Sequence, residues 1–210
     1  MMKDYIILMA DIIRSGDKNQ KKLMLNFKKL IDEVNDENKS LMLSPMTITL
    51  GDEFQGIASN IQSATRLLFL LQEKTLQMGA DFKLRYVMVE GAIETPINDK
   101  IAYGMMGEGL TKARKLLELS KGDDRNYHIE LKDEKKSAAL SDSLFLYQSI
   151  VDSWNLERDH ALVVEFIKLD DYKKVAEKLN KTRSLMWKRR KSLQIDEYFS
   201  VKKVINYIAA

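Results

Sequence analysis

The chain has 210 residues, with 34 Lys and Arg against 31 Asp and Glu, a formal net charge of +3, two histidines and no cysteine. This length suits one or two domains, each with a core of its own. The missing cysteine excludes disulfides, thiolate zinc sites, iron–sulfur clusters and a thiol nucleophile, and His128 and His160 alone do not make a His-rich metal centre.

In chain order, Tyr5–Ala10 is a continuous apolar run rich in Ile, as expected of a strand buried on both faces, and Asp11 ends it. The run is too short for a signal peptide or a spanning helix, so a cytoplasmic protein with no membrane contact is expected. Leu23, Phe27, Leu30, Ile31 and Val34 repeat at helical spacing. Met46–Leu50 and Phe54–Ala58 flank Gly51-Asp52-Glu53 and read as a hairpin. Ser59 with Gln62 suggests a capping box opening a helix through Leu76. Phe82–Glu90 reads as a central strand, Ile101–Tyr103 as a short edge strand, Glu108–Ser120 as a helix and Tyr127–Leu131 as a last strand. Asp133–Ser143 is polar and is taken as a connector. Helices are expected over Leu144–Trp154, Arg158–Lys168, Tyr172–Leu179, Thr182–Gln194 and Val201–Ile208. The first six elements form a βαββαβ, ferredoxin-like α+β unit over 1–140, followed by an all-α domain over 144–210.

In a βαββαβ sheet the first strand and the hairpin are central neighbours, which brings Asp11 and Asp52 side by side. Two carboxylates held together repel unless a cation lies between them. Mg²⁺ would take both, with the carbonyl of Ile12 as a further ligand; Glu53 either adds a ligand or points away. Gly51 would let a phosphate approach the backbone. A strand end followed by an ordinary Gly-Asp turn explains the same residues equally well.

The strings Met9-Ala10-Asp11-Ile12-Ile13-Arg14-Ser15-Gly16 and Leu50-Gly51-Asp52-Glu53-Phe54 resemble the two metal-aspartate motifs of the nucleotidyl-cyclase superfamily, which includes class III cyclases and GGDEF diguanylate cyclases. Arg85–Gly91 and Tyr103–Arg114 resemble its later strand and helix. Over essentially its full length the chain resembles the SatD family of bacterial cytosolic proteins, which pair such a palm-like domain with a C-terminal helix-turn-helix. The resemblance implies metal ligation by Asp11, Ile12 and Asp52, and a nucleotide near Arg14, Ser15, Gly51, Glu53, Thr111 and Lys115. Thr111 and Lys115 stand where class III cyclases carry Asn and Arg, and Leu50 replaces the first glycine of the GGDEF signature. Both departures point to a divergent binding domain. A Mg²⁺-dependent nucleotidyl cyclase, or another nucleotide-processing enzyme, is the alternative.

The charge is uneven. Asp171–Ala210 holds eleven Lys and Arg and four Asp and Glu, a net of +7. Within it Ala176, Asn180 and Met186 have the spacing of a helix-turn-helix: a small residue at the crossing, a turn residue with positive φ, and an apolar inner position. Thr182, Arg183, Ser184, Lys188, Arg190 and Lys191 would then face double-stranded DNA. A basic helix packed on the body, or a protein-binding helix pair, are the plain alternatives. Trp187 is either a groove contact or a core residue, and the two histidines are expected as ordinary surface or packing residues, not ligands. The sequence thus points to a DNA-binding regulator, expected as a homodimer, in which the cyclase-like domain binds nucleotide or divalent metal.

Overall fold

The computed structural model describes residues 3–17 and 20–210, the side chains of Asp17 and Leu50 apart. Five strands form one sheet: β1 (Asp4–Ile12), β2 (Met42–Leu50), β3 (Glu53–Ala58), β4 (Leu84–Ala92) and β5 (Tyr127–Glu130), in the order β2-β3-β1-β4-β5. β3 and β4 both run antiparallel to β1, and β5 runs parallel to β4. With α1 (Gln20–Glu37) between β1 and β2 and α2 (Ile61–Gln77) between β3 and β4, the first six elements are the expected split βαββαβ unit.

β1 explains the layering. Its side chains alternate, so Ile6, Leu8, Ala10 and Ile12 face α1 and α2, while Ile7 and Met9 face the other side. There they join Val87, Val89 and the buried face of α3 (Glu108–Leu119), which crosses over to reach β5. α3 lies very close to the sheet. A Cβ on Gly109 would sit 2.7 Å from the carbonyl carbon of Gly91, so this contact admits no side chain.

Several local expectations are corrected. β1 does not stop before Asp11 but runs through it to Ile12. The cap of α2 is Asn60, whose side chain accepts from the Ser63 amide at 2.7 Å; the Ser59 hydroxyl instead donates to the Ser40 carbonyl. β2 begins at Met42 and tolerates Pro45 because it is an edge strand with an irregular register. Ile101–Tyr103 is loop, not an edge strand. Side chains hold its centre: the Ala102 amide donates to the Thr47 hydroxyl, and the Gln55 amide group donates to the Ala102 carbonyl.

Asp133–Ser143 is not a connector. Asp133 caps α4 (Glu134–Asp152), whose first turns are polar because they lie at the surface. α5 (Leu156–Leu169), α6 (Tyr172–Lys178), α7 (Arg183–Ser192) and α8 (Ile195–Ala209) follow. α8 starts six residues before the expected Val201, since only Leu193 and Gln194, the latter in the left-handed region at φ 53°, separate it from α7. The division drawn between 140 and 144 falls inside α4, and one apolar core runs across it. Tyr147 on α4 touches Phe69 on α2, Tyr127 on β5 and Tyr198 on α8, and Trp154 donates its indole N–H to the Leu193 carbonyl. Among the described residues no helix is long and apolar enough to cross a membrane.

Candidate functional site

Two places carry the residues singled out by sequence. The first is the end of the sheet on the α3 side. In the ladder Asp11 lies directly opposite Glu53 on β3 and Arg85 on β4. Cross-strand partners share a face, so these three side chains form a row. The β2–β3 turn brings in Asp52: the Ile12 amide donates to the Asp52 carbonyl at 3.0 Å, and the Ser15 hydroxyl donates to the Asp52 carboxylate. Gly51 makes this turn possible with φ 59°, and nothing lies within 4 Å of where its Cβ would be.

Asp11 and Arg85 are 7% and 6% exposed. Nη1 of Arg85 donates to both oxygens of Asp11, at 3.3 and 3.1 Å. Burial still pushes the Asp11 carboxyl above its usual range. Arg85 and Lys121 pull it down, and the neighbouring charges of Asp52 and Glu53 add to the upward push. Glu53 is likewise engaged, accepting from Arg114 of α3 at 3.0 Å and from the Thr49 hydroxyl at 3.2 Å.

Thr111 and Lys115 are exposed and line a cleft of about 580 Å³ beside this row, together with Thr49, Gln55, Met105 and Arg114. The Thr111 hydroxyl bonds back to the Gly107 carbonyl. Arg14 is exposed in a left-handed turn. The structure therefore brings Asp11, Asp52, Glu53 and Ser15 together, and places Thr111 and Lys115 on the adjoining cleft.

The donor set is not arranged around a divalent cation. Such an ion needs carboxylate oxygens turned toward an open position that keeps water or phosphate. Here Asp11 is paired with Arg85 and Glu53 with Arg114 and Thr49, while Asp52 accepts from Ser15 through one oxygen. No group of three or more His, Asp or Glu among the described residues is arranged to hold a metal ion. The sequence marks Arg85 only as the start of a cyclase-like strand; its signal is a cation within the fully buried half of β4.

The second place is α6, its turn and α7. Val175, Ala176 and Met186 are buried, Asn180 has φ 51°, and Thr182 caps α7 by accepting from the Leu185 amide. Lys181, Arg183, Ser184, Trp187 and Lys188 are exposed. Arg183 reaches Glu177 at 3.1 Å in an open ion pair. Arg190 is placed differently: its side chain is 14% exposed and bonds Asp170 and Asp196, both at 2.7 Å, so it ties α7 to its neighbours. Lys191 also reaches Asp196, at 2.6 Å. Arg189 turns inward to Asp159 of α5, which is 2% exposed and is also bonded by Arg158. Trp154 is the core tryptophan and Trp187 the exposed one. His128 and His160 bond the carbonyls of Arg125 and Leu76.

A family model described as the SatD family matches residues 5–208. The chain belongs to the SatD family. No curated protein matches it at a significant level. Among solved structures it is similar to a bacterial light-regulated adenylyl cyclase (TM-score 0.48, 13% identity, 61% of this chain and 76% of that one). It is also similar to the catalytic core of a rhodopsin-guanylyl cyclase (0.40, 15%, 56% and 74%) and to the guanylyl cyclase Cya2 (0.40, 10%, 57% and 71%).

Proposed function

We propose that this SatD family protein is a DNA-binding regulator, in which α6 and α7 form a helix-turn-helix reader and the cyclase-like sheet domain is a ligand-binding body. The observation that carries the reading is the two-helix unit itself. Its inner positions, Ala176 and Met186, are buried and its turn residue Asn180 is left-handed, while the start of the second helix presents Thr182, Arg183, Ser184 and Lys188 to solvent. A second helix of this kind places its N-terminal side chains at base edges in the major groove, while Lys and Arg release counterions from phosphates. Arg183 suits a bidentate guanine contact, since its partner Glu177 is also exposed and an exposed pair opens at little cost. A cytoplasmic homodimer would present two such helices to paired half-sites. The enzyme alternative asks more of the molecule. Its carboxylates would have to abandon Arg85, Ser15 and Arg114 before a metal–nucleotide complex could be held.

The test is fluorescence anisotropy with a labelled random-sequence duplex at about 50 mM salt, where non-specific binding is strongest. The native protein binds and releases the duplex as salt rises. Arg183→Ala with Lys188→Ala weakens binding and leaves the melting temperature unchanged. A native protein that ignores duplex DNA at this salt sinks the proposal.

A further inference from the structure

We infer that the Arg85 guanidinium stands in for a divalent cation at Asp11, so that this sheet-edge site holds its buried carboxylate without metal. Three carboxylates, Asp11, Asp52 and Glu53, meet there; Arg85 pairs with Asp11 and Arg114 with Glu53, while Lys121 beside them is held by Glu118. Arg85 is the central one. It lies directly across the ladder from Asp11, contacts both of its oxygens through one nitrogen, and is as buried as its partner. Its Nε is buried with no hydrogen-bond partner, and its Nη1 is given to Asp11. A guanidinium held this way favours the charged form of the buried carboxylate, as a cation would, but offers no open coordination position to water or phosphate. A ligand entering the adjoining cleft would meet Arg114, Lys115 and Thr111 directly, not through a bridging ion.

The test is thermal unfolding of the full chain with Mg²⁺, Mn²⁺ or Ca²⁺ against EDTA. The native protein melts at the same temperature in all four. Arg85→Gln keeps a donor for Asp11 but removes the charge; its melting temperature falls in EDTA and is restored, in part, by a divalent cation. Adding Asp11→Asn to Arg85→Gln abolishes that response, which locates the bound ion at Asp11. Arg85→Lys keeps the charge and stays indifferent to cations. A native protein stabilised by Mg²⁺ in a manner lost with Asp11→Asn overturns the inference. A folded Arg85→Gln that ignores every cation overturns it too.

Discussion

If α7 reads DNA, its cations divide into those facing solvent and those already engaged, and salt separates the two. Lys181, Arg183 and Lys188 are exposed, with only the open Arg183–Glu177 pair among them. On a random-sequence duplex Arg183 meets phosphate instead of a guanine; each phosphate contact contributes about −0.9 to the slope of log affinity against log salt, so three give about −2.7. Between about 50 and 200 mM salt, a fourfold rise, one reader should lose affinity by roughly 40-fold, and two readers acting together by roughly 2,000-fold. Lys188→Ala should make the slope shallower by about 0.9 per reader and leave unfolding unchanged. Arg190→Ala should do the opposite. It removes bonds to Asp170 and Asp196 that join α7 to the start of α6 and to α8. Both acids are partly exposed, which discounts the loss to about 1–2 kcal/mol. For a chain of this size that lowers the melting temperature by roughly 2–8 °C. Anisotropy at several salt concentrations, paired with thermal unfolding, reads both effects. The reasoning is refuted if Arg190→Ala flattens the salt slope as much as Lys188→Ala while melting like the native protein.

Two further changes test the scaffold under these sites. Hydrogen bonds from Arg158 first, and from Arg189, hold the buried Asp159 carboxyl below its ordinary value of 3.8. Its stabilisation is therefore complete above that value and is lost as pH falls through the depressed one. Asp159→Asn should melt below the native protein at neutral pH, with the gap closing under about pH 4; a gap unchanged in acid counts against the pairing. Gly109→Ala puts a Cβ 2.7 Å from the Gly91 carbonyl carbon and 2.8 Å from Cδ1 of Ile7. Pushing α3 off the sheet should cost about 1–3 kcal/mol, seen as a lower midpoint in urea, and an unchanged midpoint shows that the contact is slack.

Secondary structure was legible where the local pattern was strong. The Ile-rich run of β1, the apolar repeat of α1 and the Gly51-Asp52 turn all sit within one residue or so of their expected places or inside them. α4 reads as a connector because only four of its 19 residues are buried, none of them in its first six positions. Its polar opening turns look like a loop unless the Asp133 cap is noticed. α8 starts earlier than expected because the chain restarts at Ile195 directly after the left-handed Gln194, with no side-chain cap to mark the start, whereas Asn180 marks its turn.

The candidate sites divide along the same line, between local and long-range constraints. Ala176, Asn180 and Met186 lie within eleven residues of one another, so spacing alone sets which is inside and which turns. Nothing so local says where a charge will find its counter-charge. Arg190 and Lys188 are two residues apart on one short basic helix, yet one is held by acids from two other turns and the other is free of the core. Asp11 shows the same at the sheet. Its place at the hairpin follows from strand order, but its partner comes from 74 residues away, through a register that no motif encodes. A match to metal-aspartate strings therefore identifies positions, while the strand alongside decides their chemistry. Here that strand carries Arg85, and the Asp11 carboxylate is paired with its guanidinium.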